Sequence, residues 1–230
     1  MTRLATLSPL LILALAACGS TFDLGRDTAS LAFVADAQGV TAIASFPDAD
    51  HSLLGSGPLP AGDTLTACCG ATCVPMTERW GLFGETYAAE LGAVAGACAI
   101  TWTRGATTAA AHATLPPAFD LTSPQAATDV PASGAITLAW TDPTGTTVTW
   151  SFERSCGNEY SFIAGDTVPD TGVLTIPVAR LLEEAPASTA CGCTVTLTRA
   201  VAGAVDPGFA GFGGSLEARQ ERMIAFQIAQ

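Results

Sequence analysis

The chain has 230 residues, of which 49% are hydrophobic and only 13% charged, against about a quarter charged in an ordinary globular protein. That apolar content excludes an intrinsically disordered chain. A formal net charge of −12, with 9 basic residues that are all arginine, excludes a nucleic-acid binder that works through a basic patch.

The first predicted element is a targeting segment. Met1-Thr2-Arg3-Leu4 carries one positive charge, an apolar run follows unbroken from Leu10 to Ala17, and Cys18-Gly19-Ser20 comes next. The run is shorter than the ~20 apolar residues a spanning helix needs. With its charged start and small residues at Ala16 and Ala17 it reads as a secretory signal. Leu15-Ala16-Ala17-Cys18 resembles the lipobox of bacterial lipoproteins. That resemblance implies a signal peptide over 1–17, a lipid-anchor N-terminus over 18–20, and fatty acylation, palmitate included, on Cys18. Gly19 rather than Asp after the cysteine implies passage to the outer membrane. An ordinary secretory signal that ends near a cysteine is the alternative. One acyl chain, at about 0.8 kcal/mol per buried CH₂, binds a membrane marginally, whereas the two or three of a lipoprotein hold it firmly. No later apolar stretch reaches about 18 residues, so the expected chain is anchored to a membrane and does not span it.

Strands follow in series. Ser30–Ala35 and Val40–Phe46 flank the turn Asp36-Ala-Gln-Gly39, and Thr64–Cys69, Thr86–Leu91, Cys98–Arg104 and Ala109–Leu115 come after. Leu115-Pro116-Pro117-Ala118 is a stiff connector, which divides the chain into a first domain over 21–117 and a second over 118–230. In the second, Ala135–Trp140 and Thr146–Glu153 flank the turn Asp142-Pro-Thr-Gly145. Tyr160–Ala164, Gly172–Ile176, Cys193–Arg199 and a closing strand near Arg222–Ile228 complete it. A short helix is expected over Val178–Ala185, between Pro177 and Pro186. Period-two alternation sends Ile224, Phe226 and Ile228 to one face of the last strand and Met223, Ala225 and Gln227 to the other. Short strands broken by turn residues predict an all-β fold of two β-sandwich domains.

Setting Cys18 aside leaves Cys68, Cys69, Cys73, Cys98, Cys156, Cys191 and Cys193. In an exported chain disulfides are the default use of cysteine, and an odd set leaves one thiol over. Zinc would need four ligands at finger-like spacing, and neither His51 nor His112 stands near a cysteine in sequence. Cys98-Ala-Ile-Thr-Trp-Thr-Arg104 and Cys193-Thr-Val-Thr-Leu-Thr-Arg199 share the pattern C-x-[IV]-T-x-T-R, which suggests an internal duplication. In each, an earlier cysteine, Cys68 or Cys69 in one and Cys156 in the other, suits a bridge across a sandwich.

Phe119-Asp-Leu-Thr-Ser-Pro124, Ile136-Thr-Leu-Ala-Trp140, the Cys193–Arg199 strand and Gly213-Gly-Ser-Leu-Glu-Ala-Arg-Gln220 give the chain a likeness to a known type. It resembles the immunoglobulin-like or fibronectin-III-like modules of bacterial surface lipoproteins, more in the second domain than in the first. The resemblance implies a fold and brings no activity with it.

Catalytic chemistry finds little to stand on. No G-x-S-x-G pentapeptide occurs, and the absence of lysine removes Ser–Lys catalysis, Schiff bases and a Walker lysine. His51, beside Asp48 and Asp50, reads as a loop histidine, His112 as an exposed strand residue, and Glu183–Glu184 as a solvated helix face. The many acids could ligate calcium, but no EF-hand loop is present. Trp102, Trp140 and Trp150 share parity with apolar neighbours and read as core. Trp80, in Glu78-Arg-Trp-Gly-Leu-Phe83, lies outside any clear alternation and is the candidate partner-binding aromatic. The expectation is a cell-envelope protein with a structural, adhesive or partner-binding role. It would have no catalytic residues, metal or cofactor, a membrane contact through Cys18, and an unidentified protein or glycan partner. A thiol- or metal-binding envelope protein using the odd cysteines is the alternative, and an enzyme the third reading.

Overall fold

Alternating small apolar and hydroxyl residues make strands here, because period two sends every second side chain inward. A computed structural model describes residues 29–46, 58–81, 84–126, 129–156, 159–182, 191–210 and 214–229. Strands β1 (Ser30–Ala35) and β2 (Val40–Ser45) form a hairpin around Asp36, whose carboxylate accepts the Gln38 and Gly39 amides at 2.8 and 3.0 Å. Gly39 has φ 147°, and a Cβ there would lie 2.8 Å from the Gly92 carbonyl, so only glycine fits.

Next come β3 (Asp63–Cys69), β4 (Thr72–Pro75), β5 (Thr77–Gly81), β6 (Gly84–Gly92), β7 (Ala97–Arg104) and β8 (Thr107–Thr114). After the proline connector follow β9 (Leu121–Ser123), β10 (Asp129–Pro131), β11 (Ala135–Trp140), β12 (Thr147–Cys156), β13 (Glu159–Pro169) and β14 (Val173–Pro177). A single helical turn α1 (Val178–Leu181), β15 (Cys191–Ala202), β16 (Ala204–Val205), a second turn α2 (Pro207–Ala210) and β17 (Ser215–Ala229) complete the described elements. The fold is all-β, as the alternation predicts.

A nine-stranded sheet runs β13-β12-β15-β17-β1-β2-β6-β5, with β10 paired to the end of β17. A five-stranded sheet, β16-β8-β7-β3-β4, closes over one part of it. Between them lies a core in which Leu31, Phe33, Leu65, Ile100 and Trp102 are packed among ten alanines. A three-stranded sheet, β14-β11-β9, closes over the other part. That second core is richer in large side chains, with Leu138, Trp140, Trp150, Phe152, Leu197 and Phe226 buried.

β17 serves both cores. Its first half runs parallel to β1, from Ser30↔Ser215 to Ala35↔Gln220, while β15 flanks it antiparallel from Glu217 to Ile228. Leu216 and Ala218 are buried in the first core, with Phe209 of α2, and Ile224, Phe226 and Ile228 in the second. The predicted closing strand over 222–228 is therefore the second half of a longer one. α1 occupies the start of the predicted helix; Glu183 and Glu184 fall outside the described residues. β5, at the edge of the large sheet, is a strand that alternation misses, since all four of its residues from Thr77 to Trp80 are exposed.

The disulfides correct one expectation. Cys68–Cys73, Cys69–Cys98 and Cys156–Cys191 each join residues directly opposite on adjacent strands, β3–β4, β3–β7 and β12–β15. They lie within sheets rather than across a sandwich. Directly opposed residues of an antiparallel pair bring their Cβ atoms close enough to bridge. A sequence separation of 29 or 35 is equally compatible with either arrangement.

Candidate interaction surface

Chemistry-bearing side chains gather first around Asp170. Its carboxylate, fully buried, accepts the Trp140 indole N–H at 2.7 Å, the Thr144 hydroxyl at 2.7 Å and Arg199 Nε at 2.8 Å. Burial pushes the carboxyl toward the neutral form, but the hydrogen bonds from Thr144, Trp140 and Arg199 outweigh it and hold its pKa down to about 2. Arg199 also donates to the carbonyls of Pro117 at 3.0 Å and Asp142 at 2.7 Å. Its guanidinium lies 4.5 Å from the centre of the Phe119 ring, and that of Arg222 lies 5.5 Å from it. Gln220 donates to the Pro116 carbonyl at 3.2 Å. Every partner is spoken for, so this cluster is a brace that fixes residues 116–119 to the large sheet.

The repeated heptads occupy β7 and β15 and end alike. Arg104, like Arg199, binds a carboxylate that also accepts an indole N–H: Asp63 takes Arg104 Nη2 at 2.7 Å and Trp102 Nε1 at 2.9 Å. Their cysteines are used differently. Cys98 is bonded to Cys69, whereas Cys193 is unpaired and Cys191, two positions earlier, carries the bridge.

Cys193 is 3% exposed, and burial drives its thiol up to about 11 despite the nearby Arg154 charge and the Ile228 amide. Such a thiol carries almost no thiolate at neutral pH and is a poor nucleophile or ligand. No group of three or more His, Cys, Asp or Glu side chains able to hold a metal ion occurs among the described residues. Cys18 and His51 lie outside those residues.

Among the described residues, two exposed features bear most on a partner. One is a shallow cleft of about 410 Å³ lined mainly by small side chains, with Cys68, Ala99, His112, Val201 and Gly203 among them. His112 is its one titratable side chain, exposed on β8, and Cys68 and Cys73 lie in the same cross-strand row.

The other is Trp80, 76% exposed, against 6%, 5% and 2% for Trp102, Trp140 and Trp150. It stands opposite Glu85 at the end of β5, and Gly81 pairs with Gly84 beyond it. Ser215, Ser30, Ser45, Thr86 and Arg79 form one row across β17, β1, β2, β6 and β5. Trp80 projects one position past that row, at the end of the sheet where β1 begins. The second core lies at the other end, beyond the Ala35↔Gln220 pair. Sequence reasoning singled out Trp80 by its lack of alternation; the Asp170 brace it missed, because nothing local links residues about 30 positions apart. No family model matches the chain, and no curated protein matches it.

Proposed function

We propose that the chain is a lipid-anchored cell-envelope protein, held through Cys18 in the outer membrane, with a non-enzymatic structural, adhesive or partner-binding role. Its two cores correspond in this reading to immunoglobulin-like modules. The observation that carries the proposal is the set of three cross-strand disulfides, which belong to a chain folded outside the reducing cytosol. The signal-like first 17 residues and the lipobox-like sequence before Cys18 supply the address.

The buried groups support a scaffold. The alanine-rich first core buries little apolar area per residue, and two of the three bridges staple the sheet above it. The Asp170–Arg199 brace then holds the connector so that the two cores keep one orientation. Among the described residues, Trp80 is the exposed aromatic through which such a scaffold would meet a partner. Labelled palmitate is the test: incorporation into the wild type and none into Cys18→Ser is expected, and equal labelling of both contradicts the anchor.

A further inference from the structure

Trp80, exposed on β5, and the start of β1 lie at the same end of the large sheet. Cys18 precedes Ala29 by 11 positions, and a chain of that length reaches at most ~40 Å when extended. Trp80 projects only one residue, about 3.4 Å, beyond the Ser30 row. A tether from Cys18 therefore lets this end of the sheet rest on the surface in which the acyl chains are buried. Among the described residues, Trp80 is the exposed aromatic there. Tryptophan, with an apolar body and one N–H, favours the headgroup layer of a bilayer.

A second copy of the chain is disfavoured from pairing through the middle of this edge strand. Antiparallel self-pairing of β5 centred on Glu78 or on Arg79 would set like charges directly opposite each other, which destabilises a strand pair.

We propose that Trp80 is a second membrane contact, inserted into the interfacial layer of a phospholipid surface at the end of the fold nearest the lipid anchor. The proposal rests on the anchored reading of Cys18 and names the partner of Trp80. With both contacts made, the first core sits against the membrane and the second core stands away from it.

The test is tryptophan fluorescence of the acylated full-length mature protein in phosphatidylcholine vesicles, compared with vesicles whose acyl chains are brominated. Bromine quenches on contact, and three of the four tryptophans are buried, so the signal reports Trp80. Emission is expected to fall in the brominated vesicles, and that loss to disappear in Trp80→Phe with thermal stability unchanged. Labelled palmitate is counted in the same preparation. Palmitate present with equal emission in both vesicle types overturns the Trp80 contact and leaves the anchor. Palmitate absent overturns the anchored reading and the proposal with it.

Discussion

Asp170 and Arg199 meet with side chains 0% and 3% exposed, so each is stable only because the other is present. Removing one partner of a buried ion pair costs about 3–5 kcal/mol. Arg199→Ala should lose that much in denaturant unfolding and loosen the Pro117 carbonyl as well. The pH dependence has a definite sign. Asp170 titrates at about 2 when folded and at about 3.9 when unfolded, so its contribution is complete above about pH 5 and is lost as pH falls through 2. Asp170→Asn should remove that part of the acid dependence. A profile identical to wild type would show that the carboxylate is not held as described. Cys193 makes an opposite case. Its burial predicts no alkylation in the native state and one modified thiol once the chain is unfolded without reductant. Parity was enough to bury Trp140, Trp150 and Trp102, but which carboxylates would meet the N–H groups of Trp140 and Trp102 depends on strand order, which alternation does not encode.

Among the elements, the cross-strand bridges divide by loop size and access. Cys69–Cys98 closes a loop across 29 positions and Cys68–Cys73 across only 5. The chain-entropy model assigns about 3.5 and about 2 kcal/mol to loops of those sizes. The double variant Cys69→Ala/Cys98→Ala should therefore lose more stability than Cys68→Ala/Cys73→Ala. Cys73 is exposed while the other two bridges are buried, so limiting reductant should open Cys68–Cys73 first, as peptide mapping after alkylation would read. Gly165 of β13 sits against Trp150, where an added Cβ would collide with both its carbonyl and its ring. Gly165→Ala should be destabilising on thermal unfolding, and an unchanged midpoint would contradict that packing. The predicted strands and turns were recovered where alternation was clean. β5 was hidden because an edge strand exposed on both faces has no alternation to display. The reach of β17 was hidden because period two tells which side chains are buried and not which of two cores receives them: Leu216 and Phe226 look alike in sequence.

At the scale of the molecule, one continuous sheet carries two cores, and a braced connector leaves them little freedom to swing. Cross-strand bridges, a buried thiol and an acidic, lysine-free composition suit a rigid scaffold folded outside the reducing cytosol. The expected address is read from the first 20 residues because targeting signals are linear sequence; a partner surface would be three-dimensional, and Trp80 is the candidate for it that the sequence offers. The most direct measurement is the intact mass of the protein extracted from membranes, alkylated after unfolding without reductant. The expected result is acyl mass on Cys18, three disulfides and one alkyl group on Cys193. Three or more alkyl groups, or a mature chain without acyl mass, would contradict the lipid-anchored, disulfide-stapled scaffold.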